Sequence, residues 1–124
     1  MRTFSIAIIA LWMLSGGIAH MIWPQAFYRI VPDFLPELWV VYISGIVEIV
    51  IGLAVLVPSH RKWAGLSFAV LCAGFLPLHI WDFFRLDPVF DVPVAASIRI
   101  AVQFGLIGLG LFLWRCSSNE KRSS

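Results

Sequence analysis

Six side chains able to ionise or to hydrogen-bond strongly stand inside stretches that are otherwise apolar: His20, Glu48, His79, Asp82, Arg99 and Gln103. An ionisable group near mid-bilayer costs at least ~2.5 kcal/mol on insertion scales, so such groups face a partner or a cavity. Glu48, Arg99 and Gln103 offer a carboxyl, a guanidinium and an amide. That set would hold a small polar ligand, a quinone head group or a proton. It would serve equally as interhelical glue with no ligand, and the residue types alone favour this plainer role. His20 and His79 would ligate a haem only with facing nitrogens at one depth, which nothing in the sequence fixes. His20, His79, Asp82 and Glu48 form no compact metal-ligand motif, so neither a metal site nor a catalytic residue is assigned.

Depth sorts these residues. Glu48 follows Glu37 by 11 positions, about 16 Å along a helix at ~1.5 Å per residue. Gln103 follows Pro93 by 10, about 15 Å, and shares Glu48's layer. Arg99 falls about 9 Å in, and His20 and His79 about 5–8 Å. All therefore belong to one half of the membrane. Arg99 and Gln103, four apart, share a helix face, as do His79 and Asp82, three apart. Arg99 has the reach to meet Glu48. Small residues run alongside: Gly16, Gly17 and His20 on the first span, and Ser44, Gly45, Glu48 and Gly52 on the second. Gly105, Gly108 and Gly110 lighten the fourth. Small stripes let membrane helices approach closely, so the polar faces point into the bundle.

The elements that must position them follow from composition. The chain has 124 residues, 60% hydrophobic and 13% charged, with net charge +2 and mean hydropathy +0.92. A soluble domain has about a quarter charged residues. This balance excludes a disordered chain, a nucleic-acid-binding domain and an ordinary cytosolic enzyme. It predicts an all-α fold, a polytopic transmembrane four-helix bundle in one domain over residues 1–115. The spans fall at about 4–23, 37–57, 63–84 and 93–114. A cleaved signal peptide is the rival reading of the first span, with Gly17-Ile18-Ala19 as a small-residue cut site, but the apolar run continues past that site to Trp23.

Residues 24–36 read as an amphipathic segment lying on the membrane, with Phe27, Tyr28, Ile30 and Phe34 against Arg29 and Asp33. Pro36 suits the first turn of the second helix and Glu37 its dipole. Pro58-Ser59-His60-Arg61-Lys62 is a turn and basic stop, Pro77 should kink the third helix by freeing the carbonyl of Ala73, and Asp91 can cap the fourth. Residues 116–124 read as a polar, disordered cytoplasmic tail. Arg2, Arg61, Lys62, Arg115, Lys121 and Arg122 lie on one side, so the positive-inside rule puts both termini in the cytoplasm. Of the six tryptophans, only Trp12 falls away from a span end. Cys72 and Cys116 form no Cys-x-x-Cys pair and sit at different depths, which speaks against dithiol chemistry.

Four segments resemble the DoxX-like family of small four-helix membrane proteins: GGIAHMIWPQAFYRIVPDFLP, YISGIVEIVIGLAVLVPSHRKWAG, FLPLHI and RIAVQF. The similarity runs over about residues 12–114, and its pattern carries over to His20, Pro24, Pro32, Pro36, Ser44, Gly45, Glu48, Gly52, Pro58, Pro77, Arg99 and Gln103. His79 departs from it, since relatives commonly show Asn there. The resemblance implies the four-helix fold, ties to redox or sulfur metabolism in some relatives and chaperone roles in others, and no single reaction. The resulting expectation is a non-catalytic accessory or partner-stabilising protein of a bacterial plasma membrane, surrounded by lipid and joined to a protein partner or to copies of itself. A quinone-linked oxidoreductase subunit and a small-molecule binder or transporter are the alternatives. No cofactor is required, with quinone the one candidate.

Overall fold

The computed structural model describes residues 1–86 and 93–123. Four α-helices form: α1 (Arg2–Ile22), α2 (Glu37–Leu56), α3 (Arg61–Phe84) and α4 (Pro93–Ser123), with a 3-10 helix over Pro24–Ile30. All four α-helices are long and apolar enough to cross a membrane. In lipid, a helix satisfies its backbone groups internally, and that is why these aliphatic runs adopt no other form. Their outer faces carry exposed Leu11, Ile43, Val50, Val70 and Phe104. Such a surface would be unfavourable in water and is ordinary in hydrocarbon. The protein is an integral membrane four-helix bundle.

Two hairpins build it. α1 packs closely on α2 and α3 on α4, while looser α2–α3 and α1–α4 contacts close the ring. Glycines set both tight seams. A Cβ on Gly17 would meet the Gly45 carbonyl at 2.7 Å, one on Gly45 would meet His20 Cβ at 2.8 Å, and one on Gly52 would meet Leu14 Cγ at 2.8 Å. The α3–α4 seam rests on Gly65 and Gly110, where a Cβ on Gly110 would lie 2.7 Å from the Gly65 carbonyl. Gly105 and Gly108 face open space instead, so of the three glycines expected to lighten α4 only Gly110 does so.

The core is lopsided. Ile9, Met13, Val55, Phe68 and Leu113 are almost completely buried and lie in the half of the bundle near the chain termini. The polar residues occupy the opposite half, below the 3-10 helix. A well-packed end thus anchors a more open one.

The helix limits depart from the expected spans by two residues or more at three ends, the first being α1, which starts at Arg2 and not at residue 4. α3 starts at Arg61, not Trp63, because the Arg61 side chain reaches back to the free carbonyls ending α2, donating to Val55 O at 3.1 Å and Leu56 O at 3.2 Å. The tail expected to be disordered is helical: α4 continues to Ser123, with Ser117 buried and Glu120 paired with Arg2. Residues 24–30, part of the segment expected to lie on the membrane, form the 3-10 helix. They pack against α1, α2 and α3 and close its polar end, while Phe34, further along, is fully exposed. Pro36 stands one residue before α2, with Glu37 in its first turn. The expected cap at Asp91 lies outside the described residues.

Candidate functional site

The site begins with a carboxyl on bare backbone. Glu48, in the middle of α2, is 5% exposed. It is accommodated because Gly16 on α1 has no side chain: a Cβ there would sit 2.8 Å from Glu48 Oε2. One turn along α1, His20 Nδ1 lies 3.6 Å from the same oxygen, beyond hydrogen-bonding range. The imidazole meets Phe27 of the 3-10 helix edge-to-face, with ring centres 4.1 Å apart.

Arg99 and Gln103 supply the facing wall. Arg99 Nη1 donates to Gln103 Oε1 at 2.8 Å, and Gln103 Nε2 donates to the Cys72 carbonyl of α3 at 2.8 Å. Gln103 thereby ties α4 to α3 one residue away from Ala73, whose carbonyl Pro77 leaves without its helical donor. The guanidinium also lies 5.4 Å from the centre of the Trp12 ring, a cation–π contact. Arg99 therefore turns towards Gln103 and Trp12, and among the described residues no ion pair joins it to Glu48.

Two cavities flank this group. One, of about 350 Å³, lies under the 3-10 helix; His20, Ser44, Glu48, His79 and Arg99 converge on it from otherwise apolar walls. The other, of about 280 Å³, reaches Trp12 and Ser15 on α1 and Gln103 on α4. His20, Phe27, Glu48, Phe75 and Arg99 line both and so stand between them. The second cavity lies by the loose α1–α4 contact, where Ser15 is exposed.

Asp82 lies one turn beyond His79 on α3. Its Oδ1 lies 2.8 Å from Arg85 Nε, and Arg85 Nη1 donates to the Arg29 carbonyl of the 3-10 helix at 2.6 Å. Arg85 also stacks on Trp81, 4.7 Å from the ring centre. Asp82 lines neither cavity; it helps to hold the segment that covers one of them. Among the described residues, no group of three or more His, Cys, Asp or Glu is arranged to hold a metal ion.

A domain of unknown function, DUF8561, matches residues 9–114. The chain belongs to the DUF8561 family. No curated protein and no solved structure matches it. The DUF8561 segment takes in every residue around the two cavities and leaves out the helical extension that follows Trp114.

Within this DUF8561 fold, residue types alone did not single out Trp12, Phe27, Phe75 and Arg85. A signal existed for the first. Trp12, Gly16 and His20 recur every four residues along α1, and Trp12 is the tryptophan with no place at a span end. Phe27 and Arg85 come to the site through the fold of connecting segments, which no helical period encodes.

Proposed function

We propose that this DUF8561 protein is a non-catalytic membrane subunit that binds the polar head of a lipid-soluble molecule beneath the 3-10 helix. The observation that carries this reading is the 350 Å³ cavity at membrane depth, apolar over most of its wall, on which His20, Ser44, Glu48, His79 and Arg99 converge. Ligand pockets are typically ~300–1,000 Å³, mostly apolar, with a few polar groups that fix orientation. A quinone head suits such a wall. Its carbonyl oxygens need donors, which Arg99 and an imidazole supply, and Phe27 and Phe75 offer faces for its ring.

The orientation we propose has both termini on the cytoplasmic side of a bacterial plasma membrane, supported by the cations gathered at that end. The cavity then opens towards the outer leaflet. We also propose kinship with DoxX-like proteins and an accessory role beside a protein partner or a second copy, supported by the small size of the bundle and the matching motifs.

Titration of the detergent-purified protein with a short-chain ubiquinone tests the binding reading. Saturable binding to the wild type, lost in Glu48→Gln and in Arg99→Met while both variants still fold, supports it. The absence of saturable binding contradicts it. A second reading, a purely structural network, draws on the Gln103–Cys72 bond between α3 and α4. It requires both single variants to misfold and the double variant to recover.

A further inference from the structure

At the opposite end of the bundle the charges are strongly one-sided. Glu120 is the only acidic residue beyond the last span, and no acid neighbours Arg2 in sequence or occurs in the segment between α2 and α3. The fold uses up part of the excess positive charge. Arg2 pairs with Glu120, and Arg61 is committed to the carbonyls of Val55 and Leu56. Lys62, Arg115, Lys121 and Arg122 remain. All four line one groove of about 600 Å³, together with Trp114, Ser118 and Asn119, and no acid among the described residues lines it.

The helical extension of α4 creates this groove. Arg115, Asn119 and Arg122 recur at spacings of four and three, as do Trp114, Ser118 and Lys121, so they cover one face of the helix. A disordered tail would scatter these charges. The first turn of α3 adds Lys62, whose Nζ lies 5.1 Å from the Trp63 ring centre. Trp63 and Trp114 mark the depth, because amphipathic indoles favour the headgroup layer. From Trp114 to Arg122 the helix climbs about 12 Å. The cations therefore begin at the depth of lipid phosphates and continue outward.

We infer that this groove is a binding site for the phosphate headgroup of an anionic phospholipid, held by Lys62, Arg115, Lys121 and Arg122. It is separate from the cavity under the 3-10 helix and does not depend on what that cavity binds.

The test is native mass spectrometry of the protein released from mixed micelles containing either phosphatidylglycerol or phosphatidylcholine. Two variants remove the charges in pairs, Arg115→Gln with Arg122→Gln, and Lys62→Gln with Lys121→Gln. If one pair disturbs insertion, the other still reports. The wild type should retain phosphatidylglycerol over phosphatidylcholine. At ~1 kcal/mol per cation near a membrane surface, each pair variant should weaken that retention roughly 30-fold. Unchanged retention in a folded pair variant overturns the site, as does equal retention of both lipids by the wild type. Displacement of the lipid by inorganic phosphate at millimolar concentration would make a free anion the ligand and overturn the lipid assignment.

Discussion

The carboxyl of Glu48 rests against the bare backbone of Gly16: a Cβ on that glycine would stand 2.8 Å from Glu48 Oε2. This contact keeps an acid at mid-membrane close to His20 and on the wall of two cavities. It also separates two kinds of glycine on α1. The obstacle at Gly16 is the far end of a flexible side chain, whereas the obstacle at Gly17 is the Gly45 carbonyl, part of the α2 backbone. Gly16→Ala should therefore leave the bundle folded and displace the carboxyl, reducing ligand binding. Gly17→Ala should force the helices apart and destabilise by ~1–3 kcal/mol, the usual range for overpacking. Thermal unfolding in detergent, read beside ligand titration, separates the two effects.

The second seam makes a similar contrast within one helix. Gly110→Ala should destabilise by ~1–3 kcal/mol because its new methyl meets the Gly65 backbone. Gly105→Ala and Gly108→Ala add a methyl into open space and should leave the unfolding temperature unchanged or slightly raised.

Gln103→Leu removes both the bond to the Cys72 carbonyl and the acceptor for Arg99. Cross-helix hydrogen bonds in membranes average ~0.6 kcal/mol and reach ~1.7. A loss in that range is expected, with the larger share of the damage falling on binding because Arg99 loses its orientation. Unfolding and titration on one preparation provide the check.

Arg85 joins Asp82 to the Arg29 carbonyl and so ties α3 to the 3-10 helix. Arg85→Lys keeps a cation for Asp82 but lacks the forked donor geometry to serve both partners. Amide hydrogen exchange should quicken over Ala26–Ile30 and stay slow in the α1–α2 seam. Unchanged exchange over the 3-10 helix would show that Arg85 does not hold it.

The helical architecture was legible because its signals are local. Apolar runs of about 20 residues bounded by Pro24, Pro36 and Pro58 give the spans, and a rise per residue gives Glu48 and Gln103 a common layer. The Arg99–Gln103 pair was legible from its spacing of four, but partners on other elements were not, since they depend on rotation about each helix and on connecting segments. Reach alone suggested Arg99 with Glu48, whereas the structure turns Arg99 towards Gln103 and Trp12. The spacing of His79 and Asp82 placed both on one face of α3, but it could not show that Asp82 also pairs with Arg85 at the end of that helix. The tail misled because its polar composition resembles disorder, while an i to i+3 or i+4 face and the Arg2–Glu120 pair extend the helix.

The measurement closest to the central claim is native mass spectrometry of the protein extracted from membranes in mild detergent, compared with Glu48→Gln. The wild type should carry one small lipid-soluble molecule that the folded variant lacks, and the same molecule should survive in Arg115→Gln with Arg122→Gln. A folded wild type that carries no such molecule, or a Glu48→Gln variant that carries it undiminished, would contradict the account.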